Sequence, residues 1–330
     1  MKPSFRIFLS AIALFTLAAC ANINVQNATP TAVPRGPEIL GVFEGNTPCS
    51  AQARPLPQVP LDSDCDQMIW SLILYQDPQT GDPTRYSLKT AYGRSKQGTN
   101  DLIGGGTSIS MEGKWTITIG TKSDPHATVY QISPDDPETS VSFQKINDNL
   151  IHVLSTEKAM LVGNGAWSYT LNRMDNQSPR QVSDPNLFPE PPTRPPLPPM
   201  PEGSSVFGIF DGRTPCHELV IEFAQITPSP GCLKMKWRLT LYQDAATGSP
   251  STYLFMGTST YREGSWTIVQ GMHGGLEAVV YQLQLRDAQQ PLSFLRVDKN
   301  HLFLMDREMN LLVGNELFSY TLSRADPNTP

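Results

Sequence analysis

The sequence predicts an all-β chain: two tandem small antiparallel β-barrels of about eight strands each, joined by a Pro-rich linker. Three observations carry that expectation. First, "LVGNGAWSYTLNR" at Leu161–Arg173 returns as "LVGNELFSYTLSR" at Leu312–Arg324, matching at 9 of 13 positions with an offset of 151. That period is too long for a solenoid repeat and suits a whole domain. Second, the apolar residues of each copy alternate in short runs rich in β-branched and aromatic side chains, as a half-buried pleat requires. Third, about eight such runs fit into one copy, and closing them into a barrel removes exposed strand edges, with a sandwich as the alternative.

The elements follow in chain order. Lys2 and Arg6 precede an apolar run from Ile7 to Leu17, too short to span a bilayer and typical of a signal-peptide core. It ends in Leu17, Ala18, Ala19 and Cys20, which resembles the bacterial lipobox, so residues 1–19 are expected to be a lipoprotein signal peptide and Cys20 the lipidated first residue of the mature chain. A bacterial lipoprotein cysteine carries several acyl chains, of the palmitate type, enough for stable anchoring without a membrane span. Ala21 is not the aspartate that retains lipoproteins on the inner membrane of many Gram-negative enteric bacteria, which favours the outer membrane where the host has one. Residues 20–37 then read as a polar tether.

The first barrel is expected over 38–174 and the second over 205–325. Gly45, Cys49, Cys65, Trp70 and "LILYQD" (Leu72–Asp77) recur 167 residues later as Gly212, Cys216, Cys232, Trp237 and "LTLYQD". Trp115, Tyr130 and Phe143 recur 151 residues later as Trp266, Tyr281 and Phe294. The change of offset falls in "GRSKQGTNDLIGGG", a loop-forming composition that lengthens one hairpin of the first copy. No stretch sustains a clear helical period. Between the copies, residues 175–204 are so rich in proline that an extended, semi-rigid spacer is expected.

Five cysteines less Cys20 leave Cys49 with Cys65 and Cys216 with Cys232, each pair 16 apart. In an exported chain this duplicated spacing predicts one disulfide per copy, each contributing about 3 kcal/mol through loop closure.

Together the openings "GVFEGNTPC" and "GIFDGRTPC", the "LYQD" strand and the terminal "SYTL" strand resemble the N-terminal domain of the NlpE family of copper-resistance and envelope-stress lipoproteins. The resemblance covers Gly41–Arg173 and Gly208–Arg324 and implies a lipocalin-like barrel. The family usually opens with Cys-x-x-Cys, whereas "CSAQ" and "CHEL" stand here. Copper would therefore need other soft ligands. The candidates are His273 with Met272 in "GMHGG", His217 beside Cys216, and His301 with Met305 and Met309, for all of which a structural or solvated role is the expectation.

No catalytic constellation stands out. A Gly-x-Ser-x-Gly elbow is missing, "GGGTS" at Gly104–Ser108 lacks the lysine of a phosphate loop, and Asp135 and Asp136 lie in a proline turn. Net charge −6 without a basic stripe excludes nucleic acid as a partner. The chain is thus expected to be a non-catalytic interaction or sensing lipoprotein that meets the membrane through its lipid and another envelope protein through its loops or strand edges. The alternative is a carrier of a small apolar ligand or a copper ion. Recurrent Trp70, Trp115, Tyr75 and their counterparts Trp237, Trp266 and Tyr242 favour filled barrels, provided that they point inward.

Overall fold

A computed structural model describes residues 33–49, 54–177, 196–224, 232–257, 260–271, 278–284 and 290–325. Lipidation of Cys20 and the Met272/His273 pair lie outside the described residues, as does most of the linker.

Among the described residues, sixteen strands form two closed antiparallel barrels. The first contains β1 (Ile39–Pro48), β2 (Gln67–Gln76), β3 (Pro83–Gly93), β4 (Thr107–Ile119), β5 (Thr128–Ile132), β6 (Val141–Asn147), β7 (Leu150–Val153) and β8 (Thr170–Arg173). The second contains β9 (Ser204–Pro215), β10 (Lys234–Asp244), β11 (Pro250–Met256), β12 (Tyr261–Gln270), β13 (Val279–Gln284), β14 (Leu292–Arg296), β15 (His301–Leu304) and β16 (Thr321–Arg324). Each strand pairs with its sequence neighbour, and each barrel closes where its last strand meets its first, with Phe43 opposite Arg173 and Phe210 opposite Arg324.

The closures explain a repeated glycine. A Cβ on Gly212 would lie 3.0 Å from the Thr321 carbonyl oxygen, and one on Gly45 would lie 3.1 Å from that of Thr170. A larger residue would hold the first and last strands apart, so this position admits only glycine without a backbone shift.

Alternation along the strands sends one face inward. Met68, Trp70, Leu72 and Leu74 of β2 are buried, as are Met235, Trp237, Leu239 and Leu241 of β10. The tryptophans use their indole donors identically in both copies. Trp70 Nε1 donates to Thr47 Oγ1 and Trp237 Nε1 to Thr214 Oγ1, both at 2.9 Å; Trp115 Nε1 and Trp266 Nε1 donate to the carbonyls of Tyr75 and Tyr242, both at 2.6 Å. Trp115 meets Tyr130 edge-on at 5.2 Å, and Trp266 meets Tyr281 in the same way at 5.2 Å. Tyr75 departs from the expected inward set. It neighbours buried Leu74, is partly exposed, and carries the Arg85 guanidinium 3.5 Å above its ring.

A helix was not expected, yet α1 spans Glu218–Ala224. Its buried residues Val220, Phe223 and Ala224 sit at i, i+3 and i+4, but seven residues hold too little of that period to stand out, and Val220 and Ile221 favour strand by propensity.

Candidate functional site

Both expected disulfides are present, with Cα atoms 5.4 Å apart for Cys49–Cys65 and 5.9 Å for Cys216–Cys232. Each closes the connection between the first two strands of its barrel, and that connection enters the barrel core. In the first copy Leu56 and Val59 are buried among Trp70, Tyr86 and Phe143. In the second, Phe223 of α1 stacks on Trp237 at 5.8 Å and packs edge-on to Phe255 at 5.1 Å. Leu56 and Phe223 are equivalent under the offset of 167. The disulfide loops are therefore plugs. Arg54 pins the first by donating from Nη2 to the carbonyls of Leu61 (3.0 Å) and Ser63 (2.9 Å).

The candidate metal ligands go elsewhere. His217 Nδ1 accepts from the Leu219 backbone N–H at 3.2 Å, which makes it the cap of α1. Met305 is buried just past the end of β15, where it bridges to Leu311, and Met309 occupies a turn with φ 66°. Among the described residues no three His, Cys, Asp or Glu side chains gather as a metal site.

What the residues do assemble is a seam between the barrels, built from the repeated ending. Thr321 Oγ1 donates to Thr170 Oγ1 at 3.0 Å, and the Ser168 and Ser319 hydroxyls meet at 2.7 Å. In both contacts a residue touches its own counterpart, the signature of a two-fold axis. The flanking contacts are reciprocal: Gly163 N–H donates to Ser323 Oγ at 3.1 Å, and Gly314 N–H to Asn172 Oδ1 at 2.9 Å. Asn172 Nδ2 adds bonds to the carbonyls of Asn315 (2.8 Å) and Phe318 (3.2 Å). Beside this polar strip lies an apolar cluster in which Val129, Leu150, Leu154 and Met160 pack with Phe303 of the second barrel. The long hairpin tip of the first copy also reaches across, placing Asn100 Oδ1 3.5 Å from Lys234 Nζ.

Two fully buried histidines meet in the seam, His152 and His301, with ring centroids 4.7 Å apart. They are not equivalent positions: at an offset of 151, His152 corresponds to Phe303 and His301 to Leu150. His152 Nδ1 contacts Thr170 Oγ1 at 2.9 Å and Nε2 contacts the Leu161 carbonyl at 2.9 Å. His301 Nδ1 contacts Asp298 Oδ1 at 2.8 Å, and its Nε2 shares that same Leu161 carbonyl at 3.1 Å. Burial holds His152 down at about 3, with the neighbouring His301 charge adding to it, while the Leu161 carbonyl and Asp298 only partly compensate. Burial pushes the Asp298 carboxyl up, but its bond to His301 prevails and leaves it below the usual carboxylate range.

The sequence signal for the seam was the high identity of the two endings, which strand periodicity alone does not demand. No protein family matched the chain, and no curated protein or solved structure matched it.

Proposed function

We propose that this chain is a bacterial envelope lipoprotein held on a membrane through Cys20, with the outer membrane favoured, that works as a non-catalytic interaction or sensing module as the resemblance to the NlpE N-terminal domain implies. The supporting observation is the use of the barrel interiors. Aromatic side chains and the disulfide-closed plugs occupy the space in which a carrier would hold its ligand. Recognition is then left to the outer surface and the loops, with another envelope protein as the partner.

Two expected results test this reading. Native mass spectrometry of the purified mature protein should give the mass of the lipidated polypeptide alone; a co-purifying apolar molecule released on denaturation would overturn the filled-barrel argument in favour of a carrier. Cys20→Ser should move the protein from the membrane fraction to the soluble fraction. If the variant still sediments with membranes, the lipid anchor is wrong.

A further inference from the structure

The protonation state of the seam can be derived from its hydrogen bonds. The Leu161 carbonyl can only accept, so both Nε2 atoms that approach it carry hydrogen. Thr321 donates to Thr170, which leaves the Thr170 proton for His152 Nδ1. His152 is thus neutral, with both ring nitrogens satisfied. On the other side, His301 Nδ1 faces a carboxylate oxygen, and that contact needs a proton between the two atoms.

Acid disturbs this arrangement at one point. A proton added to His152 Nδ1 would turn an acceptor into a donor and take from the Thr170 hydroxyl the acceptor of its own proton. It would also put a cation in a fully buried position against the His301 ring. Among the described residues, the charged groups acting on His152 are His301 and Asp298, both from the second barrel. Phe303 and Thr170 supply the remaining face, and neither titrates.

We propose that the seam is an acid-released lock, in which protonation of His152 separates the two barrels without unfolding either. Each barrel has its own core, closure and disulfide, so parting the seam leaves both intact. The device works the same way whether or not the chain is lipid-anchored.

The direction follows from linkage. In the closed seam His152 is held at about 3, and in an opened seam it returns toward 6.5. The open form therefore binds more protons throughout that interval. The closed form is fully favoured above 6.5 and loses ground as pH falls, so the opening equilibrium should rise about 100-fold between pH 7 and pH 4.5.

Hydrogen exchange of the full mature chain in detergent reads this directly. After correction for intrinsic exchange chemistry, the Gly163 and Gly314 amides, which donate across the seam, should lose protection about 100-fold between about pH 7 and pH 4.5, while β2 and β10 keep theirs. His152→Gln retains a donor for Leu161 and an acceptor for Thr170 but cannot titrate, so its seam should stay protected at the lower pH. Equal protection of the wild-type seam at both pH values, or equal acid loss in His152→Gln, overturns the proposal. Should His152→Gln fail to fold, titration of the histidine ring carbons by NMR in the wild type decides instead. A seam-protected His152 that titrates at its ordinary value refutes the lock, and one that stays neutral until the seam opens supports it.

Discussion

Trp237→Ala is expected to destabilise the second barrel by about 3–5 kcal/mol, the range for removing a large buried aromatic side chain. The indole lies between the plug and the wall: Phe223 stacks on one side, Phe255 packs at 4.8 Å and Phe294 meets it edge-on at 6.0 Å. Its loss also leaves the buried Thr214 hydroxyl without its donor, so the cavity is accompanied by an orphaned polar group. Because Phe223 rests on this ring, α1 should loosen with it. Because the coupled barrels melt as one unit, the melting temperature should fall by roughly 5–10 °C in scanning calorimetry. Trp237→Phe keeps the ring stack and should lose less. A shift of under about 1 kcal/mol in the alanine variant would mean that the interior is not tightly packed.

The second large effect is expected at the seam. Asn172→Ala removes three buried hydrogen bonds at once, leaving Gly314 N–H and the carbonyls of Asn315 and Phe318 without that partner. The Phe318 carbonyl keeps its bond from Asn315 N–H at 2.9 Å, so two groups lose this bond without a replacement, and at about 1–3 kcal/mol each the coupling between barrels should weaken by about 2 kcal/mol or more. Coupled domains melt together and uncoupled ones melt separately. The wild type should therefore show one calorimetric transition and Asn172→Ala two. Asn172→Ser should fall between them, since Ser323 occupies the equivalent position and accepts from Gly163 N–H. A single unshifted transition in Asn172→Ala would show that the Asn172 bonds contribute little and that the remaining seam contacts hold the barrels together.

Most of the architecture is legible in the sequence. The alternation in "WSLILYQ" and "WRLTLYQ" reports which face is buried because side chains in a strand have a period of two; the inward set of β2 follows it from Trp70 to Leu74, while in β10 Thr240 and Tyr242 are buried as well. The disulfides could be read from spacing because duplicated cysteines sixteen apart constrain each other's assignment. Tyr75 escaped because it stands an odd number of residues from Trp70, so the same alternation that buries Trp70, Leu72 and Leu74 turns it to the outer face. Helix α1 escaped because two turns of helix, with β-branched Val220 and Ile221 at their centre, carry almost no periodic signal. The seam escaped for a different reason. Contacts between Thr170 and Thr321, or between His152 and His301, depend on how two closed barrels dock, and no local pattern encodes that. Its trace was nevertheless present in the unusually faithful copying of one thirteen-residue segment.

Docking like against like has a consequence for what a single polypeptide can do that a homodimer cannot. When two identical subunits associate, any substitution appears on both sides of the axis, so a histidine placed at position 152 would have to face another in the matching place. Here the linked copies have drifted apart at two neighbouring sites: one carries Leu150 and His152, the other His301 and Phe303. Asp298 likewise has Asn147 as its counterpart, so only one half supplies a carboxylate to the imidazole pair. Covalent joining thus frees the halves from mirrored evolution, and a one-sided ionisable trio can arise inside an otherwise matched contact.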